Sequence, residues 1–200
     1  MLAAGVCLVS FLAGSIPFSN LMARWRRGVD LRDTGTGTVS GTSLYRVAGF
    51  PALAGAGICD VAKGAVGPLL ALHHPVLGGV AGGLAVAGHN WSPFLRGHGG
   101  RGIAPALGSL LVNAWPGAVL LLAVLVVSRL AHQTGLGGFV AVVVLAPVLA
   151  ITNGTSGAVA GGAVAAPMLL KRLLGNARPE RPAGSVYARR LLFDHDPVTP

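Results

Sequence analysis

Three groups of polar residues interrupt an otherwise apolar chain, and the residue types in each bear on chemistry. The first, residues 33–46, reads Thr34-Gly35-Thr36-Gly37-Thr38-Val39-Ser40-Gly41-Thr42-Ser43 and is followed by Arg46. Glycines in such a run let backbone N–H groups converge on an oxyanion, and the hydroxyls add donors. The same composition also makes a linker whose Thr and Ser cap helices. No Walker-type lysine is present, so a nucleotide loop is not indicated. The second group, residues 88–102, contains Gly88-His89 and then Arg96, His98 and Gly99-Gly100-Arg101-Gly102, immediately before the apolar residues from Ile103. Free backbone donors, the positive end of a helix dipole and a guanidinium would together favour a phosphate. A basic loop with a glycine turn is the simpler alternative. His89 could act as a general base near neutral pH or as an interfacial hydrogen-bonding group. The third group is Asp60 and Lys63, three apart and so on one helical face, inside an apolar run where charges are costly. They read as a functional pair or as a salt bridge that holds helices together.

These residues must be positioned by membrane helices. Of 200 residues 52% are hydrophobic and 10% charged, with a mean hydropathy of +0.68, which does not suit a soluble domain. The 31 glycines fall largely within apolar stretches, where small residues allow close helix packing. The first apolar run, residues 2–23, has no basic residue before it and reads as a retained span rather than a cleaved leader. It ends at Arg24, Arg26 and Arg27, which places the N-terminus outside by the positive-inside rule. Residues 24–46 read as a loop, 47–72 and 76–89 as the second and third spans, and 136–151 and 156–170 as the last two. Between them, residues 103–128 are long enough for one helix. A break at Asn113-Ala114-Trp115-Pro116 instead gives a short helix and a full one. That choice puts every Lys and Arg except Lys63 on the inner side, including the Pro- and Arg-rich residues 175–200, which read as a mobile cytoplasmic tail. The expected architecture is an all-α polytopic bundle of about seven transmembrane helices. It comprises a membrane domain at 1–174 and a tail at 175–200, with the C-terminus in the cytoplasm.

The net charge of +9 could attract nucleic acid, but its gathering on one side of a membrane without interleaved aromatic residues fits anionic lipid and a phosphate-bearing substrate better. No nucleic-acid partner is expected. Cys7 and Cys59 lie apart in apolar segments and read as packing residues, and no metal-ligand spacing occurs.

The order and spacing of Gly14-Ser15-Ile16-Pro17-Phe18, the Gly-x-Gly loop with Thr42 and Arg46, Asp60-x-x-Lys63-Gly64, Gly88-His89, Phe94 and Gly99-Gly100-Arg101-Gly102 resemble the PlsY family. These are bacterial integral-membrane acyltransferases of the plasma membrane. The resemblance covers residues 12–112 by motif and the rest by span pattern. It implies acyl transfer from acyl phosphate to glycerol 3-phosphate, giving lysophosphatidic acid and phosphate in phospholipid synthesis, at a cytoplasmic-face site with neither cofactor nor metal. By similarity Thr36, His89 and Arg101 would be catalytic. Gly35, Gly37, Thr38, Thr42, Ser43, Arg46, Gly99, Gly100, Gly102, Lys171 and Arg172 would bind substrate. The chain departs from the family's pattern in the first loop, where Thr38 and Ser43 replace amides, and at Arg101, which replaces a lysine. Of the third family motif, aligned with residues 166–173, only Arg172-Leu173 remains. A non-catalytic or altered-acceptor paralogue that binds phospholipid or partner proteins is the alternative implied by those departures.

Overall fold

The computed structural model describes residues 1–35, 37–176 and 184–194. The chain is all-helical in these residues: α1 (Leu2–Ser15), α2 (Phe18–Arg27), α3 (Gly41–Leu70), α4 (Pro75–Asn90), α5 (Ile103–Asn113), α6 (Trp115–Leu130), α7 (Thr134–Leu174) and α8 (Gly184–Phe193). Two single 3-10 turns, Leu31–Asp33 and Pro93–Leu95, stand in the connecting loops.

Helix α4 is the centre of the bundle and packs on α1, α3, α5 and α7. Its sequence is short of large side chains for that reason. A Cβ on Gly79 would stand 2.9 Å from Cα of Ala160, and one on Gly83 would run into the backbone of Ala163. Gly14 of α1 meets Ala85 of α4 in the same way. Without a hydrophobic gain between helices in lipid, such backbone-to-backbone approach is what holds them. Larger apolar residues complete the interior, with Leu110, Leu121, Leu145, Leu149, Val164 and Met168 in one buried cluster. Others face outward: Ile58 is 72% and Ile151 86% exposed, as lipid-facing positions require.

The break expected before Pro116 is present: α5 ends at Asn113 and α6 begins at Trp115. Helix α5 has 11 residues and so extends only about 16 Å, short of a hydrocarbon core of about 30 Å. It is enclosed by α3, α4, α6 and α7. The last two spans are also confirmed, as the two arms of α7. Gly154, at φ +62°, reverses the chain, so that Gly161 lies against Ala146 and Arg172 returns to the Gly135 carbonyl.

Other boundaries differ from the sequence reading. The first apolar run is not one helix: Ile16 is extended and Pro17 lacks an N–H, so α1 stops at Ser15 and α2 continues to Arg27. The loop expected to reach residue 46 ends at Ser40, whose hydroxyl caps α3 by accepting from Ser43 N–H. Helix α3 itself folds sharply at Gly49 (φ +77°), just before Pro51. Leu44 from its first arm thereby joins Ala52 and Ala56 from its second in one buried cluster. Within the segment read as a mobile tail, α8 is docked on α7. Arg190 donates to the Leu174 carbonyl at 3.0 Å, and Arg172 to the Leu191 carbonyl at 3.0 Å. Among the described residues three helical segments, Leu2–Arg27, Gly41–Leu70 and Thr134–Leu174, are long and apolar enough to cross a membrane.

Candidate active site

The break at Ile16-Pro17 begins the site. It leaves the Ile16 carbonyl open to a partner outside the helix, and Lys63 of α3 donates to it at 2.6 Å. The same ammonium stands 2.6 Å from Asp60 Oδ1 and 5.6 Å from the centre of the Phe18 ring. Ser19 donates to the other carboxylate oxygen of Asp60 at 3.4 Å. His89, at the end of α4, turns Nδ1 toward Asp60 Oδ1 at 3.7 Å. The two intramembrane charges are therefore 3–4% exposed but compensated, which is the condition under which buried ions are tolerated. This cluster lines a small cavity together with Phe18, Val39, Ser92 and Gly99.

The glycine-rich loop closes over that cavity. Gly100 N–H donates to the His89 carbonyl at 3.3 Å, and Val39 N–H to the Gly99 carbonyl at 3.3 Å. A Cβ on Gly99 would collide with the carbonyls of His89 and Asn90, and one on Gly100 with His89 Nε2 and with the Val39 carbonyl. Only glycine admits this contact, so His89 Nε2 is held against the loop while Nδ1 faces the carboxylate. Gly102, in the left-handed region at φ +81°, then starts α5. Pro105 in the first turn of α5 removes no helical hydrogen bond, because first-turn N–H groups have no intrahelical acceptor.

Two cations complete this end of the bundle. Arg101 Nη1 donates to the Lys171 carbonyl at 3.0 Å and its Nε meets Asp194 Oδ1 at 2.7 Å. Lys171, 1% exposed, lies 5.3 Å from the Trp91 ring centre with its ammonium 3.5 Å from the Gly97 carbonyl. Among the described residues no carboxylate pairs with Lys171. A buried ammonium without an anion is costly, and a bound oxyanion would remove that cost.

The structure thus gathers Thr38, His89, Gly99, Gly100, Arg101, Gly102 and Lys171 around one end of the bundle. Thr36 lies outside the described residues. Gly35 is exposed and Gly37 half-buried beside the Arg32 carbonyl, 3.2 Å from where a Cβ would be. Thr42 and Arg46 are exposed on the first arm of α3, where Ser43 is engaged with Ser40 at 3.2 Å. Arg172 donates to the carbonyls of Gly135 and Leu191. Asn176 and Asp194 were not among the sequence candidates. Gly175-Asn176 has the signature of a helix end, which gives no hint of a long-range contact. Below the loop, Arg24 and Arg32 both bind the Asp30 carboxylate, Arg32 at 2.8 Å. The hydrogen bonds from Arg32 hold the Asp30 carboxyl well below the ordinary carboxylate range, aided by Arg24 and opposed by burial.

Fold and site define a multi-pass membrane bundle whose one end, cationic and rich in glycine, suits an oxyanion. A model of the glycerol-3-phosphate acyltransferase family matches residues 4–178. Among curated relatives, the glycerol-3-phosphate acyltransferase of Synechococcus sp. is 39% identical over 177 residues, which cover 84% of this chain and 86% of that protein. Glycerol-3-phosphate acyltransferase 5 of Dehalococcoides mccartyi is 38% identical over 146 residues, 70% of this chain and 61% of the relative. The match to glycerol-3-phosphate acyltransferase 4 of that species spans 46% of its length. A crystal structure of PlsY, an integral membrane glycerol 3-phosphate acyltransferase in its glycerol 3-phosphate form, superposes with a TM-score of 0.76 at 25% identity. That match covers 85% of this chain and 88% of the other. The chain belongs to the glycerol-3-phosphate acyltransferase family.

Proposed function

We propose that this protein transfers a fatty acyl group from acyl phosphate to glycerol 3-phosphate, giving lysophosphatidic acid and inorganic phosphate at the cytoplasmic end of the bundle. Family membership supports the reaction class. The observation that carries the assignment to this site is the pairing of Arg101 with a buried Lys171 beside the Gly99–Gly102 loop, directly above His89.

The chemistry asks little of the protein beyond placement and charge stabilisation, since an acyl phosphate is already an activated anhydride. A hydroxyl oxygen of glycerol 3-phosphate bonds to the acyl carbon, and the bond from that carbon to the phosphate oxygen breaks. The hydroxyl proton passes to the departing phosphate, which gains basicity as the bond breaks. His89, with Asp60 on its Nδ1 side, supports the Gly99–Gly102 loop from beneath. Backbone N–H groups at the start of α5, with Arg101 and Lys171, receive phosphate charge, and Thr38 supplies a hydroxyl.

The test is phosphate release and lysophosphatidic acid formation by purified protein in lipid, given palmitoyl phosphate and glycerol 3-phosphate. Removing one preorganised donor typically lowers turnover about 100-fold or more, so Arg101→Ala is expected to fall by that order. An undiminished rate in that variant would overturn the role given to Arg101, and an inactive but folded parent protein would overturn the reaction.

A further inference from the structure

Three side-chain contacts tie the two glycine-rich loops to a residue neither of them contains. The Asn176 side-chain oxygen accepts from Gly99 N–H at 3.3 Å. Its amide nitrogen donates to the Gly99 carbonyl at 3.2 Å and to Thr38 Oγ1 at 3.3 Å. We propose that Asn176 is the positioning residue of the phosphate site, a clamp that fixes Thr38 of the first loop against Gly99 of the second. The inference rests on the function proposed above.

The geometry favours a clamp over a helix cap. The C-terminus of α7 is closed by its own backbone, with Gly175 N–H donating to the Lys171 carbonyl at 2.9 Å. The Asn176 side chain is therefore not spent on its own helix and crosses to the loops. Both ends of the amide are used there, one as acceptor and one as donor. That complementarity is specific to a carboxamide: an aspartate loses the donor and an alanine loses both. Gly99 is buried, so its N–H has no ready replacement from water. Its backbone also cannot retreat, being wedged against the carbonyls of His89 and Asn90.

The same stretch of chain fixes the rest of the site. Five residues before Asn176, the Lys171 carbonyl holds Arg101 and the Lys171 ammonium reaches the Gly97 carbonyl. The end of α7 thus acts as a template against which the glycine loop is laid, with Asn176 as its contact to the first loop. This chain carries Ala166 and Leu169 where the family's third motif has a histidine and an asparagine. An asparagine beyond that motif here serves the two loops directly.

The experiment compares the full-length protein with Asn176→Ala, Asn176→Asp and Thr38→Val in lipid, reading kcat, KM for glycerol 3-phosphate, and the rise in Tm that glycerol 3-phosphate induces. The expected result is a KM raised about tenfold in Asn176→Ala, with kcat changed much less, because the groups that touch the reacting atoms remain. Asn176→Asp is expected to raise KM further by placing a carboxylate beside the phosphate. The Asn176→Ala and Thr38→Val effects on KM are expected to be less than additive, since both cut one link. An unchanged KM in Asn176→Ala, or a loss of kcat with KM kept, would overturn the clamp. If the parent protein shows no turnover, the proposed reaction fails on its own account. The clamp is then decided by the ligand-induced rise in Tm: kept in Asn176→Ala it is refuted, abolished there it stands.

Discussion

Arg101 is held by a carboxylate in the structure, and a substrate phosphate must compete with it. Asp194 Oδ1 lies 2.7 Å from Arg101 Nε, with side-chain exposures of 27% and 13% respectively. Fully exposed ion pairs contribute about 0–1 kcal/mol, while breaking a fully buried one costs about 3–5 kcal/mol. A pair of intermediate exposure falls at roughly 1–2 kcal/mol, and that amount opposes any phosphate that takes Arg101 from Asp194. Asn at position 194 keeps the shape and removes the charge. Arg101 stays in place through its bond to the Lys171 carbonyl, and α8 stays docked through Arg172 and Arg190. The Asp194→Asn protein is therefore expected to bind phosphate more tightly by about tenfold, the equivalent of about 1.4 kcal/mol. Inorganic phosphate, the product, is the suitable probe: its inhibition constant in the acyl-transfer assay should fall by that factor. Unchanged or weaker inhibition would refute the argument, because it would mean that Arg101 does not receive phosphate or that Asp194 does not compete for it.

Two further outcomes follow from buried or paired charges. Lys63→Met leaves Asp60 buried with its closest cation gone, at a cost of about 3–5 kcal/mol, whereas Lys63→Met combined with Asp60→Asn recovers most of it. Thermal unfolding of detergent-solubilised protein checks this, and equal loss in both variants would count against the pair as a unit. Asp30, with its carboxyl held low by Arg32, contributes stability that is fully present above the ordinary Asp range and is lost only as pH falls through the lowered value. Asp30→Asn is therefore expected to lower Tm at pH 7 by the equivalent of about 1 kcal/mol, with the difference from the parent vanishing in strong acid. A difference that grows as pH falls would contradict the sign.

The parts of the fold legible in the sequence were those marked by charge or by proline against a uniform apolar background. Pro116 and the placement of Arg129 divide α5 from α6, and the polar residues 152–155 mark the reversal at Gly154. Pro17 carries the same signal, yet the apolar run continues on both sides of it, so composition alone did not separate α1 from α2. The fold-back at Gly49 was hidden for a similar reason, since the residues before it are polar and read as loop. Helix α8 escaped notice because Arg190, read as solvated charge, is 4% exposed and spent on the Leu174 carbonyl. In the site, the glycine loop and the Asp60–Lys63 pair were visible as local patterns. The contacts of Asn176 and Asp194 were not, because each joins residues far apart in the chain and no local rule specifies such a pairing.

The spacing of Asp60 and Lys63 also bears on how the chain enters the bilayer. A single ionised group at the centre of a span costs about 2.5–3.5 kcal/mol on insertion scales. Because the two charges are one helical turn apart, they neutralise each other as soon as α3 is wound, before α4 is present. The Ile16 carbonyl and Ser19, both earlier in the chain, are already available when α3 arrives, whereas His89 comes afterwards with α4. The polar centre can thus be assembled in the order of synthesis, each buried charge meeting a partner no later than it leaves water.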